Sequence, residues 1–471
     1  MIRSFVKNGR LMSLAIALIL VSGFGALSNL PRTEDPRILN RMASAFTVFP
    51  GASAERVEVL VTEKIEQKLR KLPEIDEVVS TSRPGISSVQ ITLKDSIMTV
   101  APVWSRVRDL LNDVKPELPT GVHDPILEDD RGYAYTQLIS LKWLSNEPVD
   151  KAALGRYANE LQNRLKVVPG TDIVTIFGRN QEEVRVNIDQ SISTQIDLSI
   201  EEISGKVLAS DAKVSAGQLV NSKNQMQIEL TGALSTTERI SNIPIRNNED
   251  GSLLRLGEIA KIEKTLEWPA KSLAVANNQE TVVVGTRMLP NLRIDKWTVK
   301  VEQALEDYKR ILPHNIELEI LFDQNTYTET RLTDLVQNIA IGFGLICIVL
   351  FVSLGWRSAL IVSASLPLTI FFTLSVMHYY GLPIHQMSVT GLVVALGIMV
   401  DNAIVMTDTI QTKRQEGVGR LNSVSYAVKH LWLPLLGSTA TTVLAFMPIV
   451  LMPGSAGEFI GGIALSVIFS L

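Results

Sequence analysis

The chain has little cysteine, histidine or net charge for its 471 residues. Its single cysteine, Cys347, excludes a framework of internal disulfides and a zinc site made of several thiolates. The five histidines show no HExxH or comparable spacing, and neither a GxxxxGK(S/T) loop nor a GxGxxG turn occurs. A net charge of −4 gives no basic surface for nucleic acid. These absences argue against a soluble metalloenzyme, a nucleotidase, a nucleic-acid-binding protein and a small disulfide-rich secreted protein.

The sequence does contain long uncharged runs, and they are unevenly distributed along the chain. Residues 11–30 carry no charge and follow Arg3, Lys7 and Arg10. About 20 apolar residues in a helix span the ~30 Å hydrocarbon core of a bilayer. A basic head followed by an apolar stretch also fits a cleaved signal peptide. The C-terminal part of the chain favours a first transmembrane helix.

That C-terminal part is nearly free of charge over long stretches. Between Leu335 and Val400 the only Lys, Arg, Asp or Glu is Arg357. Apolar runs predict further spans at about 334–354, 358–377, 387–410 and 431–452, and a last one from 459 onward. The last run is cut at Leu471, which predicts that the chain is part of a longer protein.

Basic residues predict the orientation, because they accumulate in cytoplasmic loops. They occur before the first span, between the second and third, and between the fourth and fifth: Arg3, Lys7, Arg10, Arg357, Lys413, Arg414, Arg420 and Lys429. The intervening loops at 378–386 and 452–457 carry no Lys or Arg. If successive helices cross the membrane in alternating directions, every loop with basic residues lies in the cytoplasm. Residues 31–330 then lie outside the cytoplasm.

The region 31–330 is predicted to be a folded α+β region. A first β-α-β-β-α series comprises a strand at 45–49, a helix at 53–72, two strands around Arg83-Pro84-Gly85 and a helix at about 99–115. A second series has a strand at 135–143, a helix at 150–167, strands at 172–177, 182–188 and 281–288, and a helix at 295–312, with a different segment at about 190–265 intervening. This order is typical of ferredoxin-like, split-βαβ units. The predicted fold class is therefore a polytopic helical membrane protein with a large exported α+β region.

The most informative residue is an acid in the fourth span, GLVVALGIMVDNAIVMTDTI (391–410). An ionised carboxylate inside a bilayer costs several kcal/mol unless it is paired or hydrated, so Asp401 suggests an ion or proton path. Gly391, Ala395 and Gly397 permit close helix packing, which predicts that the acid faces protein rather than lipid. The alternative is that Asp401 is only a structural hydrogen-bonding or salt-bridge residue.

Two polar neighbours accompany this acid. Asp408 follows seven residues later on the same helical face, near the predicted cytoplasmic end, where it is either solvated or paired with Lys413. Asn402 cannot titrate and is able to assist only by hydrogen bonding.

The chain resembles the first half of a resistance-nodulation-division (RND) efflux transporter, of the branch that exports amphiphilic drugs. ALGIMVDNAIVMTDTI resembles the acid-bearing helix of that family, LPLLGSTATTVLAFMPIVLMPGSAGEFI (433–460) its fifth and sixth spans, and TVFPGASAERVEVLVTEKIEQKL (47–69) the start of its first porter subdomain. The resemblance covers essentially the whole chain.

The resemblance implies a bacterial inner-membrane antiporter rather than an enzyme, driven by the proton gradient without a cofactor. It implies a homotrimer that works with a periplasmic adaptor protein and an outer-membrane channel. The implied parts are residues 1–30 (N-terminal stub and first span), 31–132 (first porter subdomain), 133–178 with 267–330 (second porter subdomain), 179–266 (docking-type subdomain) and 331–471 (spans two to five and a truncated sixth).

The resemblance also implies site residues. The family has two adjacent relay acids paired with a lysine in the second half of the protein. Asp401 matches the first acid, Asn402 stands in place of the second, and Asp408 lies on the same helix. Phe177 and Tyr135 correspond to aromatic positions of the drug pocket, and the alternative for Phe177 is ordinary core packing.

Substrate class and activity leave alternatives open. The methionines of the exported region are far apart in sequence, which favours amphiphilic organic substrates over copper or silver: Met42, Met98, Met226 and Met288. Export of a lipid remains an alternative. Asn402 also keeps open a different hypothesis, a transport-inactive membrane partner whose exported domain binds an adaptor or a homologous pump.

Overall fold

The computed structural model describes residues 8–130, 132–144, 149–188, 198–211, 215–220, 225–229, 234, 236–247 and 252–471. Their architecture is an α+β region, preceded by one long apolar helix and followed by five more apolar helices. This arrangement confirms the predicted combination of membrane helices with a mixed helix and sheet region.

The first α+β unit contains four strands and two helices. In chain order they are β1 (Met42–Val48), α2, β2 (Ile75–Arg83), β3 (Ile86–Leu93), α3 (Ala101–Val114) and β4 (Ile126–Glu128). Helix α2 runs through three consecutive segments, Ala54–Val57, a π-helical turn Glu58–Thr62, and Glu63–Leu69. The sheet is antiparallel, with the strand order β2-β3-β1-β4.

Local sequence signals set the ends of these elements. The Ser53 side chain accepts a hydrogen bond from the Arg56 N–H and caps α2. Gly85 has φ +79° in the turn between β2 and β3, a conformation that glycine adopts at little cost. One face of α2 is buried against the sheet, through the fully buried Val57, Val61 and Ile65.

The second α+β unit repeats this arrangement with an interruption. It contains β5 (Gln137–Trp143), α4 (Lys151–Val167), β6 (Thr171–Phe177) and, after an inserted segment, β14 (Gln279–Met288), α8 (Ile294–Lys309) and β15 (Ile316–Asp323). The strand order is β6-β14-β5-β15, and a short strand β13 (Ala274–Ala276) pairs with the start of β14. Ile139, Leu161 and Val301 are fully buried in its core.

The inserted segment corrects one prediction. The strand predicted at 182–188 exists as β7 (Glu182–Ile188), but it pairs with β12 (Ala260–Leu266) and not with the second sheet. The alternation of side chains along a strand indicates that it is half-buried, but it does not select the partner strand. The other described elements of this segment are α5 (Ile200–Ser210), β8 (Ser215–Val220), β9 (Gln225–Glu229), α6 (Thr237–Ser241), β10 (Pro244–Asn247), β11 (Leu253–Arg255) and α7 (Leu256–Ile259).

Six apolar helices account for the predicted spans. Five are long and apolar enough to cross a membrane: α1 (Gly9–Asn29), α9 (Gln324–Leu354), α10 (Trp356–Tyr380), α11 (Gln386–Gln415) and α12 (Arg420–Val450). The sixth, α13 (Gly454–Ser470), has 17 residues. Glycines bring two helix pairs into close contact. An ideal Cβ at Gly23 of α1 would lie 2.4 Å from Phe371 Cβ of α10, and one at Gly391 of α11 would lie 2.5 Å from the Ile463 carbonyl oxygen of α13.

Three loops join this helix group to the α+β region. The Thr33 N–H donates to the Ile384 carbonyl (3.1 Å), and the Ile384 N–H donates to the Pro31 carbonyl (2.9 Å). The start of α13 at Gly454 lies against Asp95 of the first unit. The two loops without Lys or Arg therefore lie beside the α+β region, as alternating crossings predict.

Candidate functional site: the acid face of helix α11

Asp401 lies on a face of α11 that no described helix covers. Exposed residues recur at spacings of three and four along this face: Val394, Gly397, Asp401, Val405 and Asp408. This spacing is one stripe of an α-helix. We call these five residues the acid face. It is apolar apart from its two carboxylates, which are one heptad apart.

The other sides of α11 are packed. Leu396 and Val400 are buried against α9 and α10. Gly391 and Ala395 are buried, and Gly391 meets the backbone of α13. These contacts fix the rotation of the helix and leave the acid face pointing away from the rest of the chain.

Within the described residues, no helix supplies the protein environment that was predicted for the acid. Gly391 does allow close packing, but it does so against α13, and Ala395 is buried. Asp401 follows Ala395 by six residues, which turns it about 240° round the helix. Gly397, on the acid face, has no atom within 4 Å of an ideal Cβ. Asp401 is exposed, and no hydrogen bond or ion pair of its side chain occurs among the described residues.

The two polar neighbours differ in their surroundings. Asn402 is half-buried beside the acid face. Asp408 is exposed and is not paired with Lys413, because the Lys413 Nζ bonds the Glu416 carboxylate at 2.6 Å and lies 4.8 Å from the centre of the Tyr426 ring. Of the two alternatives for Asp408, pairing with Lys413 is not observed, and both acids are left without a cation in the described part of the chain.

The two predicted substrate residues lie together in the second unit. The rings of Tyr135 and Phe177 meet edge to face with centroids 5.5 Å apart and an interplanar angle of 86°. Phe177 is the last residue of β6 and pairs with Val283 of β14. An ideal Cβ at Gly285 would be 2.9 Å from Tyr135 Cδ1, so glycine makes the room for this ring. Phe177 is 38% exposed, which argues against ordinary core packing for its ring.

The described residues offer no metal centre. No group of three or more His, Cys, Asp or Glu side chains suited to a metal ion occurs among them. The predicted site residues thus lie in two separate sites, the acid face on a membrane helix and the aromatic pair in the α+β region.

One polar contact was missed by the sequence reasoning. Arg41 and Glu458 form a buried ion pair between the first unit and α13. The available signal was that Glu458 is the only Asp, Glu, Lys or Arg after Lys429. A lone charge in an apolar run requires a polar or charged partner, but the sequence does not identify that residue.

These features are typical of polytopic membrane transporters: apolar helices, two α+β units of like strand order, and acids on a membrane helix that have no partner among the described residues. The chain belongs to the AcrB/AcrD/AcrF family, whose sequence profile matches residues 1–471. This confirms the predicted resemblance to RND efflux transporters.

Similar proteins from bacteria agree with this assignment. An uncharacterized transporter of Haemophilus influenzae is 25% identical over 473 residues, which is 98% of this chain and 44% of the relative. Multidrug resistance protein MdtC of Pectobacterium atrosepticum is 24% identical over 473 residues, 98% of this chain and 45% of its own. MdtC of Serratia proteamaculans is 23% identical over 466 residues, with 98% and 44% covered. The chain therefore spans less than half the length of these relatives.

Proposed function

We propose that this chain forms the N-terminal half of a proton-driven exporter of amphiphilic compounds in the bacterial inner membrane. The single observation that carries the proposal is Asp401 on the uncovered acid face of α11. Family membership supports export, and the MdtC relatives suggest drugs as the cargo. The two carboxylates of the acid face support the proton coupling.

A carboxylate on an uncovered face of a membrane helix needs a partner. Facing lipid, the ionised form costs several kcal/mol, whereas a buried polar partner or a cation reduces that cost. Because the relatives are more than twice as long as the chain, we propose that helices of the remaining half cover the acid face. A lysine there would complete the relay that the family resemblance implies.

Protonation would then change how the two halves fit together. A charged Asp401 attracts a cation of the other half, and a neutral Asp401 does not. A proton taken up from the periplasmic side and released towards Asp408 and the cytoplasm would therefore move the helices between two arrangements. Asn402 does not titrate, so one acid carries the coupling at this position.

The α+β units would convert this movement into export. Their strand orders, β2-β3-β1-β4 and β6-β14-β5-β15, support two ferredoxin-like porter subdomains, residues 31–132 and residues 133–178 with 267–330. Residues 179–266 would form the docking-type subdomain. Tyr135 and Phe177 would contact an aromatic or apolar substrate between these subdomains. We propose a trimer that passes substrate to a periplasmic adaptor protein and an outer-membrane channel.

The proposal is tested with the full-length gene in an efflux-deficient bacterium. Accumulation of a fluorescent amphiphilic dye is compared for the wild type, Asp401→Asn and Asn402→Asp at matched expression. We expect the wild type to lower accumulation and Asp401→Asn to abolish this effect. Val405→Ala, on the same face but without charge, is the control for a change of surface.

Other outcomes separate the alternatives. If wild type and Asp401→Asn are both inert but Asn402→Asp exports dye, the natural protein is a transport-inactive partner and the proposal is wrong. Wild-type export that persists in Asp401→Asn would remove Asp401 from the coupling.

A further inference from the structure

A buried ion pair joins the first α+β unit to a membrane helix. The Arg41 Nη2 lies 2.5 Å from the Glu458 Oε1, and the two side chains are only 6% and 15% exposed. The other carboxylate oxygen of Glu458 accepts the Leu39 N–H at 2.7 Å. The Arg41 Nε donates to the Ile97 carbonyl at 3.2 Å. Both charged groups are thus engaged on more than one side.

The Arg41 end of this contact is fixed in the first unit. Its carbonyl accepts the Leu93 N–H of β3 at 2.8 Å. The neighbouring Asn40 carbonyl accepts the indole N–H of Trp104 at 3.1 Å, and the Asn40 side chain donates to the Asp129 carbonyl at 2.7 Å. A displacement of Arg41 therefore displaces the sheet and α3 with it.

The Glu458 end is fixed in α13, and α13 is fixed against α11. An ideal Cβ at Gly391 would lie 2.5 Å from the Ile463 carbonyl oxygen, and one at Gly462 would lie 2.6 Å from the His385 Cε1. At Gly391 the two helices touch through backbone, and at Gly462 the contact is made by the His385 ring. Such close packing couples a movement of one helix to the other. Asp401 belongs to one of these helices and Glu458 to the other.

We propose that Arg41 and Glu458 are positioning residues that transmit the movement of α11 and α13 to the first α+β unit. The proposal rests on the proposed function, in which gain and loss of a proton at Asp401 move α11. A buried charge is costly to leave unpaired, so the pair resists separation when the helices move. Without the pair, the helices would still move, but the first unit would follow less completely.

The experiment uses the full-length transporter in proteoliposomes with an imposed pH gradient. Initial rates of efflux of a fluorescent amphiphilic dye are measured over a range of dye concentrations for Arg41→Met, Glu458→Gln and the double variant. We expect kcat to fall at least fivefold, KM to stay within twofold, and the double variant to be no slower than either single one. Arg108→Met and Asp129→Asn are matched controls, since they break an exposed 2.6 Å ion pair that lies wholly within the first unit.

Melting temperatures check that each variant is folded. Arg41→Lys keeps the positive charge but lacks the Nε donor, and we expect an intermediate kcat; it replaces Arg41→Met if that variant does not accumulate. Folded pair variants with the kcat of the controls would overturn the proposal, even where their melting temperature is lowered. If the wild type transports and Asp401→Asn does not, that result leaves the proposed function standing, whereas an inert wild type overturns both.

Discussion

The His385 imidazole occupies the space that a side chain at Gly462 would need, because an ideal Cβ there would lie 2.6 Å from its Cε1. His385 is 2% exposed and caps the N-terminal end of α11. Its Nδ1 accepts the Ser388 N–H at 3.2 Å, and the Ser388 Oγ accepts the His385 N–H at 3.0 Å. The start of the acid-bearing helix therefore depends on a neutral imidazole, since a protonated ring has no acceptor for the Ser388 N–H.

This cap predicts a pH dependence of stability. Burial lowers the pKa of His385 to about 4 from its ordinary value of 6.5. The unfolded chain then binds a proton more readily than the folded one, so stability is fully present above about pH 6.5 and falls as the pH drops towards 4. The loss at His385 reaches about 3 kcal/mol, at about 1.4 kcal/mol per pKa unit.

The measurement compares urea unfolding of the detergent-purified protein at pH 7.5, 6 and 5 for the wild type and His385→Asn. Asparagine retains an N-cap acceptor but does not titrate in this range. We expect the free energy of unfolding of the wild type to fall more steeply with acid than that of the variant. Equal slopes would show that His385 does not resist protonation.

Two glycines of α1 provide a matched test of helix packing. An ideal Cβ at Gly23 would lie 2.4 Å from Phe371 Cβ and 2.9 Å from its Cα, whereas Gly25 has nothing within 4 Å. Gly23→Ala should therefore separate α1 from α10 and destabilise the protein by about 1–3 kcal/mol, as overpacking does. Gly25→Ala should be neutral or slightly stabilising, since alanine favours the helix. Melting temperatures in detergent check both, and equal shifts would contradict the close contact.

Local sequence patterns predicted most of the helices and strands. They did not predict which strands pair when these are far apart in the chain. The turn at Gly85 and the helix that follows Ser53 depend on neighbouring residues, so both were predicted and both are present. The pairing of β7 with β12 joins strands far apart in the chain, and β-periodicity alone does not choose between partners.

In the candidate site, too, the sequence identified the residue but not its tertiary contacts. The type and position of Asp401 in an apolar run pointed to it without any tertiary information. Its direction was not predictable, because small residues such as Gly391 mark a contact without naming the helix that makes it. The Arg41–Glu458 pair joins residues at opposite ends of the chain, and nothing near either residue signals the other.

The aromatic pair in the second unit gives the most direct test of substrate contact. If the ring of Phe177 binds part of an apolar substrate, Phe177→Ala removes binding without touching the proton-driven step. We expect KM for an aromatic dye to rise about tenfold, which corresponds to about 1.4 kcal/mol of binding, while kcat stays within twofold. Initial efflux rates of the full-length transporter in proteoliposomes measure both constants.

Two controls separate binding from packing. Tyr135→Phe keeps the edge-to-face contact with Phe177, so its KM should stay within twofold of the wild type. Tyr327→Leu removes an exposed ring that is stacked on Phe322 of β15, and it should leave KM unchanged. If Phe177→Ala lowers the melting temperature but not the affinity, the ring only packs, and the edge-to-face pair is then a structural feature of β6 rather than part of a substrate pocket.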